Sequence, residues 1–274
     1  MKKNSITLFI TICIAFSSFA QKQKEIKYKK TFYNNQTVEN ADMKIMIDDA
    51  VATMMGIKFK VRIENKTNDY IIFKATECEF QIKDSKVNPV EKWIIIAPND
   101  KESKVIDIKG SQYILPENFT FKMAGFYKVS LDAKGNITPD FKLPPTTNEF
   151  KSGGFSVSVD GFKKTTTQTD AKFKVTYNGD KIGVLDINKI GVKMPDGKEY
   201  ANFLSEKRPV IFDKGKSDDF KVLWKNLSPE SGDMQKVDMM ILWRDAFKEI
   251  TPVKIPTLDL LILFDEETSF TKGR

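Results

Sequence analysis

The sequence predicts an all-β chain, built as two tandem antiparallel β-sandwich domains behind a cleaved export signal. Three observations carry that expectation. Apolar and polar residues alternate with period two along most of the chain. Turn-forming clusters recur at short spacing. One order of strands and turns occurs twice, about 112–115 residues apart.

The first twenty residues have the layout of a signal peptide. Lys2 and Lys3 are followed by an apolar run from Ile6 to Phe16, and Ser18-Phe19-Ala20 supplies small residues at a cleavage site before Gln21. The apolar run is about eleven residues, short of the ~20 a spanning helix needs. Ile10-Thr11-Ile12 lacks the small residue that lipoprotein processing wants before Cys13. Cleavage after Ala20 removes two lysines and Cys13, so the net charge falls from +7 to +5 and Cys78 is the one remaining thiol. No internal disulfide is then available, and the mature chain must be held by its cores alone.

Next come the strands. Ile45 and Ile47 alternate with Lys44, Met46 and Asp48; Ile57, Phe59, Val61 and Ile63 alternate with Lys58, Lys60, Arg62 and Glu64. The pattern repeats at Cys78-Phe80-Ile82, Phe155-Val157-Val159 and Phe173-Val175-Tyr177. Such alternation places one sheet face on a core and the other in water. Turns fall at Asn65 to Asp69, Pro98-Asn99-Asp100, Asn178-Gly179-Asp180, Pro195-Asp196-Gly197 and Asp213-Lys214-Gly215. The repeat aligns Phe59-Lys60-Val61 with Phe173-Lys174-Val175, and Val105 to Ile108 with Phe220 to Trp224. Between the copies, 132–149 holds Gly135, Asn136, Pro139, Pro144 and Pro145 and reads as a linker. The expected domains are therefore 1–20 (signal), 21–131, 132–149 (linker) and 150–274.

The order Phe-Lys-Val, polar turn, apolar strand, a strand ending in Asp84-Ser85 or Asp196-Gly197, then a further turn and strand resembles the telokin-like, immunoglobulin-type β-sandwich domains of bacterial exported proteins. The resemblance covers about half of each copy and carries no catalytic motif. It implies two Ig-like sandwiches and a role in binding or assembly. The paired cysteines and tryptophan of antibody domains are absent.

The chain contains no histidine, which removes Ser–His and Cys–His catalysis and His-ligated zinc. Cys78 alternates with Phe80 and Ile82, so it is expected to pack inward as a small hydrophobe. Glu77 and Glu79 are expected on the outer face of one strand, where paired carboxylates could serve glycoside hydrolysis but commonly only solubilise. Ser269-Phe270-Thr271-Lys272 has serine–lysine spacing without partner motifs, in what reads as a frayed tail. Asp48-Asp49, Asp218-Asp219 and Asp265-Glu266-Glu267 lack calcium-loop spacing, and Asp218-Asp219 reads as a turn. Gly153-Gly154 is no phosphate loop. Met43, Met46, Met54 and Met55, and Met234, Met239 and Met240, could offer thioethers to Cu(I), but core filling is the commoner use. No cofactor and no metal are expected.

Only four of the 44 basic residues are arginine, and the lysines spread along strand faces, so no nucleic-acid partner is expected. Lys22, Lys24, Lys27, Lys29 and Lys30 form a basic arm suited to an anionic surface. Near the other end, Leu258, Leu260, Leu261, Ile262, Leu263 and Phe264 form an apolar stretch. One reading makes it a core strand buried on both faces, completing the second domain or docking on the first; the other makes it an exposed strand awaiting a partner. The composite expectation is a non-enzymatic envelope protein, periplasmic or extracellular, without a transmembrane span. Its partner is expected to be another envelope protein, as in an accessory subunit of an outer-membrane complex. Two alternatives stay open: a carbohydrate-binding module or adhesin using Trp93, Trp224 or Tyr200, and an enzyme of unrecognised type.

Overall fold

A computed structural model describes residues 28–110, 113, 115–225, 227 and 232–274. The expected signal peptide and Lys22, Lys24 and Lys27 lie outside these residues. The fold is nearly all β and its paired strands are antiparallel.

The first lobe runs β1 (Lys30–Phe32), β2 (Gln36–Glu39), β3 (Met43–Thr53), β4 (Gly56–Asn65), β5 (Tyr70–Phe73), β6 (Glu79–Ile82), β7 (Ser85–Val87), β8 (Ile94–Ile96), β9 (Lys101–Lys109), β10 (Asn118–Met123) and β11 (Phe126–Val129). The second runs β12 (Phe141–Leu143), β13 (Glu149–Ser152), β14 (Phe155–Lys164), β15 (Gln168–Tyr177), β16 (Ile182–Leu185), β17 (Gly191–Lys193), β18 (Glu199–Ala201), β19 (Val210–Phe212), β20 (Ser217–Lys225), β21 (Met239–Leu242) and β22 (Phe247–Ile250). Then come β23 (Val253–Lys254), β24 (Leu258–Leu263) and a short helix α1 (Glu266–Lys272).

The two lobes share one plan. The sheet β1-β3-β4-β9, with β2 also on β3, corresponds to β13-β14-β15-β20; β10-β6-β7 corresponds to β21-β17-β18; β11-β5-β8 corresponds to β22-β16-β19. Hairpin register fixes the alignment. Met43 pairs with Asn65 in one lobe and Phe155 with Tyr177 in the other, which matches Val61 to Phe173. The sequence alignment of Phe59-Lys60-Val61 with Phe173-Lys174-Val175 is therefore two residues out of register. A two-residue slip preserves the inside-outside alternation, so periodicity alone does not detect it.

Each lobe has its own aromatic core. Phe59 meets Phe80, Phe119 and Phe121, with ring centroids 5.3, 6.3 and 4.9 Å away. In the second lobe Trp243 plays this part against Phe141, Phe150, Phe173, Phe220 and Phe247. Turns are fixed by specific chemistry. A Cβ on Gly56 (φ +140°) would lie 1.9 Å from the Ile108 carbonyl oxygen. Buried Asn65 donates to the carbonyls of Asp69 and Ala97 at 2.7 and 3.0 Å and accepts from the Thr67 amide at 2.9 Å.

A third buried cluster joins the lobes. Tyr70, Ile72, Ala97 and Val129 pack with Ile182, Val184, Ile211 and Ile250. This explains why Tyr70–Phe73 is buried at all four positions: Ile71 and Phe73 enter the first core while Tyr70 and Ile72 enter the seam. Polar contacts rim it. Arg208 pairs with Asp100, Lys74 lies 3.9 Å from Asp213, and Lys248 donates to the Leu131 carbonyl at 2.6 Å. At about 1.5–3 kcal/mol per buried aliphatic side chain, the seam outweighs thermal energy many times over.

Strand pairing divides the chain differently from the expected boundaries. Residues 141–143, inside the expected linker 132–149, form β12 on β21, with Phe141 and Leu143 buried in the second core. Gly135 and Asn136 also bond to the second lobe, through the Asp245 carboxylate and the Phe247 carbonyl. Residues 253–264, expected in the second domain, pair with the first lobe.

Candidate functional site

The C-terminal segment leaves the second lobe after β22 and crosses to the first at Pro252. β23 pairs with β11, and Ile255 is buried in the first core. β24 then pairs with β10 over six residues, from Met123↔Leu258 to Asn118↔Leu263. Its burial alternates. Ile262 is fully buried and Leu258 and Leu260 pack against the first core, while Asp259, Leu261 and Leu263 face outward. Leu261 is 52% exposed and Leu263 43%. Burial on both faces, the expectation from the unbroken Leu260-Leu261-Ile262-Leu263 run, is thus corrected: this strand lies on the outside of its sheet, with a core under only one face.

β24 is the outermost strand of the sheet β24-β10-β6-β7. One end of its edge is closed: the Asn34 amide donates to the Leu263 carbonyl at 2.9 Å and Tyr33 bridges Phe264. Toward Leu258 no strand among the described residues ladders to this side, although β2 lies close to β24, and two outward leucines and one aspartate run along the strand. An edge strand is a template for strand addition, and Asp259 is the sole charge along β24 that opposes it.

The tail is not frayed. Asp265 caps α1, accepting from the Thr268 amide at 2.9 Å and its hydroxyl at 2.7 Å, and these bonds hold its carboxyl below the usual range. Ser269 is buried, and its hydroxyl accepts from the Phe32 amide at 2.8 Å, so it latches the helix to β1. Lys29 and Lys30 are exposed, and their amides donate to the Gly273 carbonyl. The Asp265…Thr268 spacing with acids in the first turn is a helix-start signal that the charge-run reading overlooked.

The other candidates separate. Cys78 is buried and its thiol is pushed up to about 11 by burial, which disfavours the nucleophilic thiolate. Glu77 is not on the strand with Glu79: it ends a 3-10 turn and accepts from the Tyr127 hydroxyl, while Glu79 accepts from Gln81 at 2.6 Å. Asp218-Asp219 lie in β20, not in a turn, and Asp219 pairs with Lys172 at 3.0 Å. Gly153-Gly154 form the β13–β14 hairpin turn against Glu249, whose carboxylate accepts from the Gly154 amide and the Tyr177 hydroxyl, both at 3.1 Å. Met43, Met234 and Met239 are buried, and Met54 and Met55 are exposed at a hairpin tip. Trp224 is fully buried and Tyr200 is half-buried against the second core. Trp93 is half-buried at the seam, with the Lys216 ammonium 4.1 Å from its ring centroid. Among the described residues no helix is long and apolar enough to cross a membrane.

No family model matches the sequence, and no curated protein does. Among solved structures, the crystal structure of AerE from Microcystis aeruginosa is matched at 12% identity over 77% of this chain and 97% of that one, with a TM-score of 0.11. A likeness at that level carries no argument.

Proposed function

We propose that the protein is an exported, non-enzymatic binding or assembly protein of the bacterial cell envelope, with two Ig-like sandwich lobes fused into one rigid body. It takes another envelope protein by strand addition along β24 and serves as an accessory subunit of an outer-membrane complex, on the periplasmic or outer face. The observation that supports the reading is the position of β24: it is outermost in its sheet and turns Leu261 and Leu263 to solvent. The duplicated lobes and the buried seam support a scaffold role, because they hold that edge on a stiff frame.

The test is site-specific crosslinking in intact envelopes. A photoreactive residue at Leu261 should give one discrete adduct, and Leu263→Lys in the same chain should abolish it while leaving the thermal transition unchanged. A diffuse smear of adducts, or an adduct indifferent to Leu263→Lys, would contradict the reading.

A further inference from the structure

The two ends of the described chain meet backbone to backbone. The amides of Lys29 and Lys30 donate to the Gly273 carbonyl at 2.6 and 3.0 Å. A Cβ on Gly273 would fall 2.2 Å from the Lys30 carbonyl oxygen, so no larger residue fits the junction without a shift. Lys272 and Arg274 flank this glycine. Four exposed cations, Lys29, Lys30, Lys272 and Arg274, therefore leave one junction formed by segments more than 240 positions apart. Among the described residues, no carboxylate lies within ion-pair distance of any of the four.

The acids nearby are otherwise engaged or displaced. Asp265 caps the helix, with Lys272 adding weakly to its lowered carboxyl, and Glu266 and Glu267 sit in the first turn of α1, away from Gly273. An aromatic ring completes the group. Phe270 is 47% exposed, and the Arg274 guanidinium carbon lies 3.4 Å from its ring centroid.

We propose that this junction docks the protein on an anionic lipid surface, with the clustered ammonium and guanidinium groups on the headgroup charges and Phe270 at the level of the glycerol backbone. Charge complementarity argues for this occupant: cations from both ends of the chain meet at one junction, none of them in an ion pair with a described carboxylate, beside an exposed ring. The inference does not depend on strand addition at β24.

Vesicle sedimentation with the full chain tests it. Vesicles of phosphatidylcholine with about 30 mol% phosphatidylglycerol should bind the protein at low salt and release it near 0.5 M salt, whereas pure phosphatidylcholine should not bind it. Neutralising Lys272→Gln and Arg274→Gln together should weaken binding roughly twenty-five-fold, at about fivefold per cation, with unchanged circular dichroism. Phe270→Ser should weaken it further without altering the salt slope. Equal binding to both vesicle types, or full binding after the double C-terminal substitution, would overturn the composite site. Retention on immobilised polyaspartate with no vesicle binding would overturn it in favour of an acidic polymer.

Discussion

The two lobes carry the same plan but complete it differently. In the second, the strand beside β21 is its own β12, which puts Leu143 and Phe141 into the core. In the first, the strand beside β10 is β24, which arrives from the far end of the chain and puts Ile262 and Leu260 against the core. The chain is thereby closed on itself, and the first lobe depends on residues that follow the second. The comparison teaches that a duplicated fold can have unequal autonomy: the second lobe is continuous in sequence, and the first is not.

Removing 257–274 should break the asymmetry most severely. It strips a six-residue ladder, Ile262 and the α1 latch from the first lobe only. The expected loss is at least about 5 kcal/mol, comparable to the stability of a domain. Hydrogen exchange should then show β3, β4 and β10 unprotected while β14, β15 and β21 stay protected.

A seam substitution should come next in size. Val184→Asp places a carboxylate among Tyr70, Ile72 and Val129, at a cost of about 3–5 kcal/mol. Calorimetry should show one transition for the native chain and two for the variant, if the seam is what couples the lobes.

Asp265→Ala should cost about 1 kcal/mol through the lost helix cap, and only in the first lobe, because α1 is latched to β1 of that lobe. The sign with pH follows from the lowered folded value. The contribution is complete above the unfolded carboxylate range near 3.9 and is lost as pH falls through the folded value, so wild type and variant should converge in acid.

The smallest effect concerns a pair of matching positions. Glu91 Oε1 accepts from the Asp107 amide at 2.7 Å; in the second lobe Asn202 Oδ1 accepts from the corresponding Leu223 amide at 2.9 Å. Burial, with Asp107 nearby, raises the Glu91 carboxyl. Its stabilising contribution is present below the ordinary carboxylate value and is lost as pH rises through the raised one. Glu91→Gln imitates the neutral amide of the second lobe and should gain up to about 1 kcal/mol near pH 8, with no gain near pH 4. Denaturant midpoints across that range decide it.

Much of the architecture was legible in the residues. Alternation along Ile57 to Ile63 and Phe173 to Tyr177 marks strands with one buried face, and the recurrence of turns exposes the duplication. Long-range pairing was not legible. Leu258–Leu263 reads as a doubly buried run, yet Leu261 and Leu263 face water, because hydrophobicity along a strand does not report which neighbour it joins. The doubly buried runs are Tyr70–Phe73 and, in the second lobe, Ile182–Leu185, and their lack of alternation was the available sign of a seam. Of the basic arm only Lys29 and Lys30 fall among the described residues. Their neighbours Lys272 and Arg274 could not be found from sequence, since nothing in their spacing reports a contact across the whole chain.

The central claim is that β24 belongs to the first lobe. Thr120 and Leu261 are cross-strand partners on the outer face of β10 and β24, and Lys142 and Met240 are partners on β12 and β21. Such partners lie about 4.5–5.5 Å apart at Cα, within disulfide reach. Mass spectrometry after mild oxidation should find Thr120→Cys joined to Leu261→Cys as completely as Lys142→Cys to Met240→Cys. Free thiols at 120 and 261 beside a closed control bridge would contradict the account.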